Sequence, residues 1–92
     1  GDTFRWKGEN VATQEVAELL NGAPGVSETA VYGVRVPGAE GRAGMAFVVL
    51  QAEASFDPVA YFDFSERVLP PYARPLFVRV GEAMDVTGTL KH

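Results

Sequence analysis

The residues best suited to chemistry in this 92-residue chain are its two lysines, each of which lies in a glycine-containing loop. Lys7 lies within Trp-Lys-Gly-Glu-Asn at positions 6–10, and Lys91 follows Thr-Gly-Thr-Leu at positions 87–90. The other six cationic residues are arginines, and a lysine ammonium is the more compact cation for reaching a phosphate. Phosphate contacts in both loops are therefore one interpretation, but on spacing alone the plainer one, two solvated loop lysines, is favoured.

Other catalytic arrangements are poorly supported by the sequence. The single histidine, His92, ends the chain without a serine and carboxylate arranged around it, so no catalytic triad is indicated. Glu15 and Glu18 have the spacing of a solvated helix surface. Asp57 and Asp63 fit a helix cap and a solvated position better than an acid–base pair.

Composition limits the class of protein. A chain of this length with 47% hydrophobic and 22% charged residues fits one small globular domain. The absence of cysteine excludes a disulfide framework and a thiolate zinc site. A net charge of −4 argues against nucleic-acid binding, which needs a basic face. No apolar run approaches the roughly 20 residues that cross a bilayer, so we expect a cytoplasmic location or one at the periphery of a membrane.

The first part of the chain predicts a β-hairpin and a helix. Polar and aromatic residues alternate over 3–7, which is typical of a half-buried strand. Residues 7–9 supply the tip of a hairpin whose return strand passes through 10–11. Thr13 is then placed to cap a helix over 14–20.

The middle of the chain predicts two paired strands. Residues 26–36 are rich in β-branched side chains, and we expect a bend at Gly33. A turn at 37–41 leads to the continuous apolar run 45–50, which is typical of a central strand covered on both faces. The two strands are predicted to pair in antiparallel fashion.

The last part predicts a helix and a third core strand. Asp57 is placed as the N-cap with Pro58 at the first helical position, and the prolines at 70–71 stop the helix. Residues 76–80 then form the third strand. The order of elements predicts an α+β domain, with an N-terminal hairpin and a three-stranded sheet packed with two helices.

Four segments, in an order and at distances that fit a known family, carry a resemblance to it. They are residues 1–11 (Gly-Asp-Thr-Phe-Arg-Trp-Lys-Gly-Glu-Asn-Val) before Glu15 and Val16, residues 30–34 (Ala-Val-Tyr-Gly-Val) with Pro37 and Gly41, residues 46–49 (Ala-Phe-Val-Val), and residues 69–75 (Leu-Pro-Pro-Tyr-Ala-Arg-Pro). Together they resemble the small C-terminal domain of adenylate-forming enzymes, a superfamily that includes acyl-CoA synthetases. Residues 1–11 are similar to the fatty-acid-transport-protein, or very-long-chain acyl-CoA synthetase, branch.

The resemblance implies a two-step ligase of which this chain is one part. A fatty acid and ATP form an acyl-adenylate and pyrophosphate, and CoA then displaces AMP. A large N-terminal domain, absent from this chain, would hold ATP, Mg²⁺ and the acyl chain. The small domain rotates between the two steps.

The resemblance also assigns roles to residues of the hairpin. Gly8 matches the glycine that borders the pantetheine tunnel of CoA, where the missing Cβ permits close approach. Trp6, Lys7 and Glu9 lie beside it in the sequence and are expected at the same CoA-binding surface.

The two ends of the chain depart from the family pattern. The hinge maps to Gly1 and Asp2, with Gly1 where the family has aspartate. A gap-free count from the Leu-Pro-x-Tyr-x-x-Pro signature places Lys91 on the catalytic lysine and Leu90 where glycine is expected. Aligning the glycines places Thr89 there instead. Lys91 is favoured because an ammonium supplies the positive charge that adenylation requires.

Two functions from different classes follow. The first is half of a fatty-acid–CoA ligase, expected to be inactive without its N-terminal domain. The second is a non-catalytic fatty-acid uptake or partner-binding module of the same fold. Residues 61–64 (Tyr-Phe-Asp-Phe) could serve the second, but their face lacks the basic residues of membrane-surface helices, which favours a packed core face.

Overall fold

The computed structural model describes residues 3–83 of the chain. The elements are β1 (Thr3–Trp6), β2 (Glu9–Ala12), α1 (Thr13–Leu20), β3 (Val26–Arg35), β4 (Arg42–Leu50), α2 (Pro58–Val68), a 3₁₀ turn (Pro71–Ala73) and β5 (Phe77–Gly81). Strands β1 and β2 form a hairpin, and β3, β4 and β5 form a three-stranded sheet. The predicted α+β architecture is confirmed.

The central strand of the sheet is β4, which pairs antiparallel with β3 and parallel with β5. Both the predicted antiparallel pair and the predicted central position of the apolar run are confirmed. Two hydrophobic clusters use the two faces of β4. Ala46 and Val48 belong to the main core with both helices, whereas Phe47 and Val49 pack with Tyr32 on the other face.

The hairpin is fixed to the sheet by an aromatic ring that lies on glycine backbone. Gly33 and Gly44 are direct partners across β3 and β4. A Cβ atom on Gly33 would lie 2.9 Å from Phe4 Cγ, and one on Gly44 would lie 3.3 Å from Phe4 Cζ. The ring of Phe4 therefore occupies the space that two side chains would fill.

A second contact fixes the same hairpin at its other end. Trp6 forms an isolated antiparallel bridge with Gly41, whose φ of 76° lies in the left-handed region. A Cβ on Gly41 would overlap the carbonyl oxygen of Arg5. Both the backbone conformation and the close approach of β1 therefore require glycine at this position.

Two local predictions were wrong. The bend expected at Gly33 is absent, because Gly33 pairs in regular register and the register shift lies between Val26 and Glu28. Helix α1 also begins at Thr13, so Ala12 rather than Thr13 occupies the cap position, with no side-chain cap hydrogen bond. The reason is that Ala12 still has the extended conformation of β2, which leaves no linker residue between strand and helix.

Helix α2 begins as predicted and ends with help from an arginine. The Asp57 Oδ1 atom accepts a hydrogen bond from the Ala60 backbone N–H at 3.1 Å, and Pro58 occupies the first helical position. At the other end, Arg74 donates from Nε to the Leu69 carbonyl and from Nη2 to the Glu66 carbonyl, both at 3.0 Å. Arg74 thus satisfies carbonyl groups that the helix end leaves without intrahelical partners.

Two hydroxyl groups one turn apart on α2 are buried in the core. Tyr61 is 2% exposed and Ser65 is 1% exposed. Within residues 3–83, neither Tyr61 Oη nor Ser65 Oγ has a hydrogen-bond partner. Burial raises the pKa of Tyr61 from 10.0 to about 12, because the phenolate would lose its hydration.

The contact between Phe4 and Gly33 leads to a stability prediction. We expect Gly33→Ala to lower the free energy of unfolding of the 92-residue chain by about 1–3 kcal/mol, because the new methyl group would overpack both the Phe4 ring and the Arg42 side chain. Urea unfolding of Gly33→Ala, Phe4→Ala and the double variant measures the coupling. Gly33→Ala should lower the free energy of unfolding less in the Phe4→Ala background than in the wild-type chain. If the effects of the two substitutions simply add, Phe4 and Gly33 are not in contact as described.

The buried phenol of Tyr61 leads to a prediction about pH. The unfolded chain releases the Tyr61 proton near pH 10 and the folded chain near pH 12, so stability falls as pH rises through this window. In the wild-type chain the free energy of unfolding should fall by about 1.4 kcal/mol per pH unit between these two pKa values. Tyr61→Phe should abolish this fall. Urea unfolding between pH 8 and about 11 measures it, with Tyr72→Phe, at a position 40% exposed, as the control. An identical pH dependence in wild type and Tyr61→Phe would show that Tyr61 is not the group responsible.

Candidate functional site

The tip of the hairpin is a two-residue turn in which both residues have positive φ. Lys7 has a φ of 49° and Gly8 a φ of 83°, between the paired residues Trp6 and Glu9. These are the angles of a type I′ turn, which matches the twist of the flanking strands. Gly8 suits its position, whereas Lys7 is a non-glycine residue held in a sparsely populated conformation.

The position of Gly8 leaves open space beside the backbone. A Cβ atom built on Gly8 would meet nothing within 4 Å. The glycine is therefore required by the turn angle and not by packing within this domain. The same space is available to a ligand that approaches the backbone closely.

The four residues predicted at the CoA-binding surface take two different positions. Lys7, Gly8 and Glu9 are exposed at the hairpin tip, whereas Trp6 is 8% exposed and belongs to the main core. The Lys7 Nζ atom lies 5.4 Å from the centre of the Trp6 ring, within the range of a cation–π contact. The buried indole thus contacts the ammonium group of the exposed lysine.

A cleft lies between the hairpin tip and the turn that joins β3 to β4. Its volume is about 450 Å³, and it is lined by Arg5, Lys7, Gly8, Glu40 and Gly41. No sequence pattern singles out Arg5 and Glu40, because they come together only when the hairpin docks on the sheet. The one signal in the sequence is the Gly38-Ala39-Glu40-Gly41 segment, which lies within the turn predicted over 37–41.

Several predicted site residues lie outside the described residues. They are Gly1, Asp2, Thr89 and Lys91. Within residues 3–83, no three histidine or acidic side chains are grouped so that they could hold a metal ion. None of the helices in this part of the chain is long and apolar enough to span a lipid bilayer.

The family model for the C-terminal domain of AMP-binding enzymes matches residues 15–91. The chain belongs to this family. It is also 53% identical over 91 residues to long-chain fatty acid transport protein 6 of Mus musculus. That match covers 99% of this chain and 15% of the relative. The resemblance to this branch is confirmed, and the chain spans only about a seventh of the relative's length.

Solved structures of the family share the fold. A fatty acyl CoA synthetase from Mycobacterium tuberculosis superposes with a TM-score of 0.76 at 30% identity, over 89% of this chain and 16% of that one. An o-succinylbenzoate CoA synthetase from Bacillus subtilis, in complex with an acyl-adenylate intermediate, superposes with a TM-score of 0.79 at 26% identity. That match covers 88% of this chain and 16% of the synthetase. The domain therefore has the same architecture as a small part of these larger enzymes.

Proposed function

We propose that residues 1–92 are the mobile C-terminal domain of a fatty-acid–CoA ligase. The ligase would activate a long- or very-long-chain fatty acid with ATP and transfer the acyl group to CoA. Membership in the AMP-binding family and the 53% sequence identity to a long-chain fatty acid transport protein support a fatty acid as the substrate. The likeness to a fatty acyl CoA synthetase supports the acceptor.

The first step of the proposed reaction needs a positive charge from this domain. A carboxylate oxygen of the fatty acid attacks the α-phosphorus of ATP, and pyrophosphate leaves. Negative charge grows between the carboxylate and the phosphate, where the Lys91 ammonium would stabilise it. The N-terminal domain would supply the sites for ATP, Mg²⁺ and the acyl chain.

The second step uses the hairpin. The thiolate of CoA attacks the acyl carbonyl carbon, and AMP leaves with the bonding electron pair. The observation that carries this assignment is the exposed type I′ turn, in which Gly8 presents bare backbone to open space. A pantetheine chain could pass against that backbone at a distance that a Cβ would prevent.

The proposed hinge lies directly before the hairpin. Gly1 and Asp2 precede β1, which begins at Thr3. Because Phe4 fixes the hairpin to the sheet, a rotation at the hinge would carry tip and sheet together as one body. This arrangement suits a domain that presents one surface for adenylation and the hairpin for thioester formation.

The alternative function, fatty-acid uptake or partner binding without chemistry, depended on residues 61–64. Tyr61 is buried and Phe64 packs against the main core. That aromatic segment is therefore used mainly to hold the domain together, and we do not propose the second function.

We predict that the isolated 92-residue domain produces no acyl-CoA. The reason is that the proposed sites for ATP and the acyl chain belong to the N-terminal domain. Incubation of the folded domain with fatty acid, ATP, Mg²⁺ and CoA, followed by chromatography for acyl-CoA, is the measurement. Acyl-CoA formed by the domain alone would disprove the proposal that the sites for ATP and the acyl chain belong to the N-terminal domain.

In the full-length enzyme, Lys91→Ala should slow adenylation about a hundredfold, because one contact to developing charge is worth about 3 kcal/mol. Thioester formation from preformed acyl-adenylate should be affected far less. ATP–pyrophosphate exchange measures the first step, and acyl-CoA release from supplied acyl-adenylate measures the second. An equal loss in both steps, or none in either, would reject Lys91 and make Thr89→Ala the next variant.

Gly8→Leu should have the opposite selectivity, with acyl-CoA production lost to a much greater extent than pyrophosphate exchange. The added side chain would enter the proposed pantetheine path. Gly38→Leu is a matched control, because Gly38 has a φ of 82° and also no neighbour within 4 Å of an added Cβ. Both variants strain a turn to a similar degree. Equal acyl-CoA output from the two variants would mean that Gly8 serves only the turn.

A further inference from the structure

The Leu-Pro-Pro-Tyr-Ala-Arg-Pro segment at residues 69–75 carries part of the family resemblance but has no role in the proposed function. It follows α2, forms the 3₁₀ turn and leads into β5. The Ala73 N–H donates to the Pro70 carbonyl at 3.0 Å. The Arg74 N–H donates to the Pro71 carbonyl at 3.4 Å, which is long for a backbone hydrogen bond. The backbone therefore holds the second half of the turn only weakly.

The side chain of Arg74 holds the turn in addition to its backbone. It reaches back to the end of α2, where Nε donates to the Leu69 carbonyl and Nη2 to the Glu66 carbonyl, both at 3.0 Å. The guanidinium therefore joins the residue before the first β5 proline to the last turn of the helix. A planar guanidinium fixes the directions of both hydrogen bonds, which an ammonium on a flexible stem does not. Arg74 thus fastens the turn to the end of α2.

This turn lies against β2, the second strand of the hairpin. Ala73 of the turn and Val11 of β2 both belong to the main core. A cavity of about 150 Å³ also lies between the two elements, and its lining includes Val11, Ala12, Pro70 and Tyr72. The cavity leaves β2 and the turn incompletely packed against each other. The position of β2 therefore depends on how firmly the turn is held.

The same segment also meets β1, the first strand of the hairpin. A Cβ atom on Gly44 would lie 3.2 Å from Pro75 Cα and 3.3 Å from Phe4 Cζ. Pro75 and the Phe4 ring therefore come together at Gly44. Because Pro75 directly follows Arg74 in the chain, the residues that support both strands of the hairpin belong to the segment that Arg74 fastens.

Strand β5, which follows the segment, is fixed in a different way. Its residues 77–81 pair with residues 45–49 of β4. The Leu76 N–H also donates to the Gly44 carbonyl at 3.0 Å. These contacts hold β5 without the Arg74 side chain. A loosened turn should therefore displace the hairpin more than it displaces β5 and the chain that continues towards Lys91.

We propose that Arg74 is a positioning residue for thioester formation, because it fastens the turn that supports the hairpin. The proposal rests on the proposed function, in which the hairpin tip borders the path of pantetheine. Gly8 lies three residues from Val11, which is about 10 Å along an extended strand. A tilt of β2 at the turn is therefore enlarged at the tip. A group misplaced by about 1 Å loses about a hundredfold in rate.

The test measures both steps in the full-length enzyme with Arg74→Met, which keeps a long side chain but has no hydrogen-bond donor. Acyl transfer from supplied acyl-adenylate to CoA should fall about tenfold or more. ATP–pyrophosphate exchange should stay close to the wild-type rate. Arg74→Lys keeps donors without their fixed directions, so its transfer rate should lie between those of wild type and Arg74→Met.

Asp57→Ala is the matched control for the stability of α2. It removes the hydrogen bond to the Ala60 N–H and so weakens the same helix at its opposite end. The ratio of acyl transfer to pyrophosphate exchange should stay at the wild-type value. The proposal is wrong if Arg74→Met leaves this ratio unchanged, or if both variants lower it equally. Those outcomes leave the ligase function intact, whereas a wild-type enzyme that makes no thioester overturns the ligase function and the proposal together.

Amide hydrogen exchange of the same full-length variants gives a readout that does not need activity. Mass spectrometry of peptides from β2 and β4 compares the hairpin with the central strand. Arg74→Met should speed exchange in β2 while β4 keeps its protection, because only the hairpin loses its support. Asp57→Ala should leave β2 unchanged. Equal acceleration in β2 and β4 would show that Arg74 stabilises the whole domain, and would overturn its role in placing the hairpin.

Discussion

The ring of Phe4 on the paired backbone of Gly33 and Gly44 is the contact on which the functional end of the domain depends. An isolated two-stranded hairpin is only marginally stable in water. Here the hairpin gains its position from one aromatic side chain and from the bridge between Trp6 and Gly41. Both contacts favour glycine on the sheet side, because a Cβ at Gly33 would crowd the Phe4 ring and one at Gly41 would overlap the Arg5 carbonyl oxygen. Three glycines therefore fix where the hairpin tip and its cations are placed.

The sequence was most informative where one residue type decides the local structure. Asp57 before Pro58 predicted the start of α2 correctly, because a carboxylate cap and a fixed φ act within one turn of helix. The apolar run in β4 correctly indicated a strand covered on both faces. The prediction that Thr13 caps α1 was wrong because no linker residue separates β2 from the helix, so that Ala12 occupies the cap position. The cap residue of α1 depends on where β2 ends, and the capping preference of threonine carries no information about the end of the strand.

The sequence was least informative where distant segments meet. Gly33 was expected to bend a strand, yet its role is to admit Phe4, which is far away in the chain. The parallel pairing of β5 with β4 and the meeting of Arg5 with Glu40 are also long-range. For the candidate site, the resemblance singled out Gly8, and the backbone angles explain why glycine is needed there. The roles of Lys91 and of the hinge stay predictions.

The mixed pairing of β4 also affects how the domain is made on the ribosome. Strand β3 can cover one edge of β4 as soon as their short turn has emerged. The other edge has to wait for α2 and the parallel strand β5. During that interval an apolar strand presents an open edge, which is the kind of surface that recruits other chains. The sheet formed by the described residues is therefore complete only when β5, which follows α2 in the chain, has paired with β4.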